Sequence, residues 1–190
     1  MSQRRGLWQH EHGFTLTEVL VTIIIMGILA GIAIPAWFWL VETRRVDSAA
    51  NQLVADMRLA NASATDQLTD WRIVFRTDGT QVANCPSAGQ SADYCLVKNA
   101  AAGGERTPRY FPENTRILDT TVSLDTSAGL LAPSAAGTTR TIKFNTDGSA
   151  SAMGGLTAGA TSPTVTVGSD DGNPSHVISL NTATSRVRID

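Results

Sequence analysis

The feature that most constrains this chain is an uninterrupted apolar run near its start. From Val19 to Val41 the sequence reads VLVTIIIMGILAGIAIPAWFWLV and carries no charge. A bilayer's hydrocarbon core needs about 20 such residues in a helix. A single carboxylate, Glu18, stands at the mouth of the run, and Arg4 and Arg5 lie in the polar leader before it. An acidic group at the edge of a span is costly to keep there, which makes Glu18 a candidate functional residue. A cleaved secretory signal would place a small-residue site after the run. Here the chain goes from Ala36 straight into Trp37-Phe38-Trp39. A plain anchor with its arginines held in the cytoplasm accounts for the span. It leaves Gly13-Phe14-Thr15-Leu16-Thr17-Glu18 unexplained.

The helical pattern does not stop where the run stops. Val46, Ala49, Ala50, Leu53, Met57, Ala60 and Ala64 recur at steps of three and four, so they share one face. Arg44, Arg45, Asp47, Asp56 and Arg58 fall mostly elsewhere. No helix breaker stands between Glu42 and Thr65, which predicts a helix from about Phe14 to about Asp66, on the order of 80 Å long. Its first half is apolar all round and its second half has one apolar stripe, so the two halves need different surroundings. Pro35 removes one backbone hydrogen bond and is expected to kink or loosen the first half. Gly27 and Gly31 form a G-x-x-x-G spacing that permits close helix approach.

Beyond the helix the chain is rich in Thr, Ser, Ala and Gly and reads as short strands joined by turns. Trp71–Arg76 precedes Asp78-Gly79, and Thr141–Phe144 precedes Asp147-Gly148; both read as hairpins. Arg116–Leu118, Thr121–Leu124, Thr164–Val167, His176–Leu180 and Arg186–Ile189 are further strands. Cys85 to Cys95 reads as a closed loop, Ala100–Gly104 as a flexible stretch, Ser151–Pro163 as a loop and Asn181–Ser185 as a turn. The fold class is α+β: a long N-terminal helix packed on a C-terminal antiparallel sheet domain.

The Gly13–Glu18 hexapeptide, set against a span with Pro35 inside it, resembles the processing site of type IV prepilins and type II secretion pseudopilins. The resemblance implies that a prepilin peptidase cuts between Gly13 and Phe14 and that the new amine of Phe14 is methylated. It implies four parts: a leader over 1–13, a transmembrane and assembly helix over 14–41, an amphipathic helix over 42–66, and a β-rich domain of the pilin type over 67–190. The domain would lie outside the cytoplasm, tied by a single pass to the bacterial inner membrane or built into a filament of pilin or pseudopilin subunits. Glu18 would pair with the methylated Phe14 amine of a neighbouring subunit as the spans bundle, since a buried carboxylate needs a positive partner or must become neutral. The bland alternative is a carboxylate reaching for the headgroups.

Within that family the layout is similar to the GspH/FimT-type minor pilins. The similarity rests on the processing site, on Ala49–Leu53 and Arg58–Ala60, on Phe144–Gly148 and on Ser185–Ile189. FimT-type minor pilins that serve DNA uptake carry a terminal Gly-Arg-x-Arg motif that contacts DNA; here Ser185 stands in the glycine's place before Arg186 and Arg188. In a strand the two arginines point to one face and Val187 and Ile189 to the other. They are then either a DNA contact, a contact with other subunits, or a solvated face that also deters edge pairing.

The formal net charge is −2, and removal of residues 1–13 takes away two arginines and one glutamate, leaving −3. This mildly acidic balance argues against a broadly basic nucleic-acid surface and leaves room for a local patch. Cys85 and Cys95, an even pair at short spacing in an exported chain, suggest one disulfide, with free thiols as the alternative. Two cysteines and the distant His176 are too few for a zinc site. His10, Glu11 and His12 belong to the leader. Asp170-Asp171-Gly172-Asn173 is too short for an EF-hand loop and reads as a turn. Without a phosphate loop, a nucleophile elbow or a metal set, the chain reads as a structural subunit that needs no cofactor, not as an enzyme.

Overall fold

The computed structural model describes residues 14–85, 87, 89–98, 104–123 and 139–190. The residues read above as leader and cleavage glycine, most of the Ala100–Gly104 stretch, Pro86 and Leu124 lie outside them. Contacts divide the chain into two compact units, Met1–Val41 and Glu42–Asp190.

One helix, α1, runs over Leu16–Asp66. It is followed by β1 (Trp71–Arg76), β2 (Val82–Ala83), β3 (Ser91–Ala92), β4 (Tyr94–Lys98), β5 (Arg106–Arg109), β6 (Thr115–Thr120), β7 (Thr139–Phe144), β8 (Ala150–Ala152), β9 (Thr164–Ser169), β10 (Ser175–Leu180) and β11 (Val187–Ile189). They form a five-stranded sheet in the order β5-β4-β1-β7-β8, a four-stranded sheet in the order β11-β10-β9-β6, and the small pair β2-β3. Every pairing among the named strands is antiparallel.

In the second unit the apolar stripe of α1 is the floor of the core. Val46, Ala49, Ala50, Leu53, Met57, Ala60 and Ala64 are all buried, joined by Val54. Four of these are alanines, which add little bulk between helix and sheet. All but Val46 pack with Ile73 and Phe75 of β1, Tyr94 and Leu96 of β4, Ile142 and Phe144 of β7, and Val165, Val167, Ile178, Leu180 and Val187 of the second sheet. The alternate residues of β1 and β4 serve another cluster: Val74, Cys95 and Val97 pack with Val82, Cys85 and Ala92 on the far face of the first sheet. Buried on both faces, β4 reads as a short continuous apolar run, Tyr-Cys-Leu-Val, and not as an alternation.

One of the two expected hairpins does not form. Both Asp-Gly turns have the same local build. Asp78 accepts from the backbone N–H and hydroxyl of Thr80 at 3.1 and 2.6 Å, and Asp147 accepts likewise from Ser149 at 2.9 and 2.6 Å. Gly79 and Gly148 both have positive φ. After the second turn β7 pairs with β8. After the first, β1 does not pair with the strand that follows. It is central in its sheet, and β4 and β7 already hold its two edges. The chain therefore leaves, and β2 pairs with β3 instead. Strand β5 was not legible because it holds Pro108, which cannot donate to a ladder; it lies at the sheet's edge, where that is tolerated. Of the expected strand Thr121–Leu124, the described part makes only an isolated bridge, Val122 to Leu156.

Asp56 corrects the expectation that it faces away from the stripe. It is buried, and its Oδ2 accepts from the Tyr94 hydroxyl at 2.7 Å and from Arg109 Nε at 2.9 Å. Gln52 Nε2 donates to the Tyr94 oxygen and to the carbonyl of Tyr110, both at 3.1 Å. Burial, with the Asp56 carboxylate beside it, pushes the Tyr94 hydroxyl well above the usual tyrosine range. A second tie joins the two sheets: Ser185, in the left-handed region at φ 49°, donates its hydroxyl to the carbonyl of Gly148 at 2.7 Å.

Two outcomes test this packing. Asp56→Ala is expected to cost about 3 kcal/mol in the denaturant midpoint of the full chain in detergent, because Arg109 and Tyr94 lose a charged acceptor in a buried place. Tyr94 stays neutral in the fold while the unfolded chain ionises, so its contribution is whole below about pH 10 and is lost as pH rises beyond it. Tyr94→Phe is expected to flatten the fall in stability above that pH, measured by unfolding at stepped alkaline pH.

Candidate functional site

The start of α1 is set by Thr15. Its carbonyl accepts from Val19 N–H at 3.2 Å, and its hydroxyl oxygen accepts from Glu18 N–H at 3.2 Å. Thr15 is therefore the N-cap, and Thr15-Leu16-Thr17-Glu18 has the spacing of a capping box. Sequence reasoning treated these residues only as part of a processing motif and missed the cap, although Thr-x-x-Glu before an apolar run is its standard signature. The cap places Glu18 in the first helical turn, where unsatisfied N–H groups favour a negative charge. Phe14, just before the cap, is 81% exposed.

From Phe14 to Leu40 every residue is exposed within its unit. The large apolar side chains Ile23, Ile24, Ile25, Met26, Ile28, Leu29, Ile32, Trp37, Phe38 and Trp39 all face outward on this stretch of α1. The helix is long and apolar enough to cross a membrane, with a mean hydropathy of 2.6 over its most apolar 18 residues. Thr22, its polar member after Glu18, donates its hydroxyl back to the carbonyl of Val19 at 2.8 Å, so that hydroxyl is satisfied within the helix. Pro35 lies within the assigned helix. A Cβ placed on Gly27 or Gly31 would meet nothing within 4 Å, so the notch they form is open.

Cys85 and Cys95 are joined by a disulfide. Both are fully buried, in the cluster that holds the β2-β3 pair against the far face of the first sheet. The bond therefore closes the excursion that the chain makes after failing to form the first hairpin.

At the other end of the sequence, Asn181–Ser185 makes the expected turn. The side-chain oxygen of Asn181 accepts from the N–H groups of Ala183 and Thr184, and its own N–H donates to the carbonyl of Arg186. Val187 is buried, Arg186 and Arg188 are exposed, and Ile189 is partly buried against the core. The two guanidinium groups differ. Arg188 Nε pairs with Asp190 at 3.1 Å, and the other oxygen of Asp190 accepts from the Ser179 hydroxyl at 2.9 Å. Arg186 has no partner among the described residues. Both line a groove of about 290 Å³ with Ser162, Ser179, Leu180 and Asn181.

The remaining candidates are ordinary. His176 Nε2 meets Asp47 of α1 at 2.6 Å, a contact between helix and sheet. Asp170 pairs with Arg116 at 3.3 Å, and Gly172 turns the chain at positive φ. Among the described residues no three His, Cys, Asp or Glu side chains gather as a metal site.

Comparison with known proteins adds three findings. Residues 8–34 match the family model of the prokaryotic N-terminal methylation motif. No curated protein sequence matches the chain. Among solved structures, the chain is similar to the minor pseudopilin EpsH from the type 2 secretion system of Vibrio cholerae, at 10% identity and a TM-score of 0.48, covering 77% of this chain and 96% of that one.

The disulfide closes a loop with a sequence separation of 10. Replacing both cysteines with serine is expected to cost about 3 kcal/mol by the loop-closure model. Denaturant titration of the oxidised full chain against the double variant checks this; coincident midpoints would show that the bond contributes nothing.

Proposed function

We propose that the chain is a minor pilin or pseudopilin, a structural subunit of a type IV pilus or a type II secretion pseudopilus. In this reading a prepilin peptidase cuts between Gly13 and Phe14, and the exposed amine of Phe14 is methylated. The apolar part of α1 then holds the subunit in the bacterial inner membrane by a single pass, with residues 42–190 outside the cytoplasm. On assembly the same surface leaves lipid for a bundle of like helices. The observation that carries the reading is the methylation motif over residues 8–34 leading into a helix that is exposed and apolar on every side. A lone anchor would need the second feature but not the first.

Glu18 is the residue on which assembly turns. Within its own chain it sits in a capped first turn, where the helix dipole tolerates its charge. Within a bundle of spans it would be surrounded by apolar side chains, and an isolated charge there costs several kcal/mol after relaxation. The methylated amine of Phe14 on a neighbour supplies the compensating charge. DNA capture through Arg186 and Arg188 is the alternative. The pairing of Arg188 with Asp190 weighs against it, since phosphate binding gains from several free cations at once.

Glu18→Ala tests the assembly role. Alanine is a good helix former and removes a charge from an apolar segment, so membrane insertion and the globular domain are expected to survive. Processed protein in the membrane should stay at the wild-type level, while protein in sheared filaments falls tenfold or more, corresponding to about 1.4 kcal/mol or more of lost pairing. Wild-type levels of the variant in filaments would refute the pairing.

A further inference from the structure

We infer that the groove beside β10 and β11 receives a single carboxylate side chain from a neighbouring subunit, held by Arg186. The inference rests on the subunit reading given above. The groove's polar groups are not equally available. Ser179 donates to Asp190, and Arg188 gives its Nε to the same carboxylate, which offsets the Arg188 charge. The side-chain oxygen of Asn181 is committed to the turn, which leaves its NH₂ group free to donate. Among the described residues the hydroxyl of Ser162 has no partner as a donor, and the guanidinium of Arg186 has none at all. The groove thus holds one cation with no opposing charge, Arg186, and two neutral donors around the buried side chain of Leu180, beside an Arg188 already offset by Asp190.

That inventory selects the ligand. A guanidinium binds a carboxylate through two parallel hydrogen bonds, and neutral donors beside it satisfy the remaining lone pairs. Strand geometry fixes where the cation stands. Val187 is anchored in the core and Arg58 donates to its carbonyl at 3.4 Å, so the residues on either side project outward from a held strand. Asn181 and Ser185 pin the turn before it. A nucleic acid fits the groove poorly. Its backbone brings a row of phosphates that would meet one free cation and then the carboxylate of Asp190. Among the described residues no aromatic ring lines the groove to stack a base. An acidic side chain on a protein surface brings one charge and no more.

The test uses the full chain in the membranes of cells that make the filament. A photoreactive phenylalanine replaces Ser162, and adducts formed on illumination are digested and identified by mass spectrometry. The expected adduct is with a filament subunit, at a peptide containing Asp or Glu. It is lost in Arg186→Glu, kept in Arg186→Lys, and restored in Arg186→Glu when the partner's acidic residue is changed to Arg. Disulfide formation and protease resistance are compared in every variant; Arg186 is exposed, so both should be unchanged. Adducts with nucleic acid, absence of any adduct in filament-borne chain, or an adduct indifferent to the charge at residue 186 would overturn the inference while leaving the subunit reading standing. A chain that never enters the sheared-filament fraction would overturn both.

Discussion

Everything in this protein follows from the apolar surface between Leu16 and Leu40. Its large side chains point outward on all sides of the helix, and none of the described residues of their unit covers them. Each such side chain is worth roughly 1.5–3 kcal/mol on full burial, so leaving the set in water would cost tens of kcal/mol. That is more than the net stability of a typical domain, about 5–15 kcal/mol. The surface must therefore be covered by lipid or by other helices. The two unpacked glycines, the back-bonded Thr22 and the capped first turn all suit such surroundings, in which the backbone and hydroxyl groups find no water.

The same helix meets a different demand after Val41. There it becomes the floor of a water-exposed domain, and an alanine-rich stripe replaces the all-round apolar surface. Two antiparallel sheets pack on that stripe, and polar ties hold the parts in register. Asp56 links α1 to β4 and to the edge strand β5; Ser185 links the turn before β11 to the turn before β8. The disulfide pins the β2-β3 excursion on the far side. The two hydrogen-bonded ties join segments distant in sequence, and Asp56 and Ser185 are buried, so breaking either leaves groups that water cannot easily satisfy.

Periodicity made the helix and most strands legible. The stripe from Val46 to Ala64 and the alternation in Thr164–Val167 report burial directly, because one face of each meets the core. The same logic fails where both faces are buried. Tyr94–Val97 shows no alternation and sits inside a region that the cysteines mark as a loop, so β4 stayed hidden. A charge in an amphipathic helix is read as solvent-facing, and Asp56 breaks that rule because its partners come from strands that no local pattern places beside it. The Asp78-Gly79 turn is locally sound, yet only the whole sheet decides that β1 has no free edge. For the candidate sites, Phe14, Glu18, the cysteine pair and the alternation of Arg186 and Arg188 could be named from the sequence. The cap by Thr15 has a local signature, Thr-x-x-Glu before an apolar run, that the processing motif overlies. The pairing of Arg188 with Asp190 depends on the course of β10 and β11 and has no such signature.

The central claim is that the helix begins its working life at Phe14, after removal of the leader, as a membrane-held filament subunit. Intact-mass analysis of the protein taken from native membranes tests it most directly. The account predicts a single mature species that has lost residues 1–13 and gained one methyl group on the amine of Phe14. A species that retains Met1, or one that begins after Pro35, would contradict it.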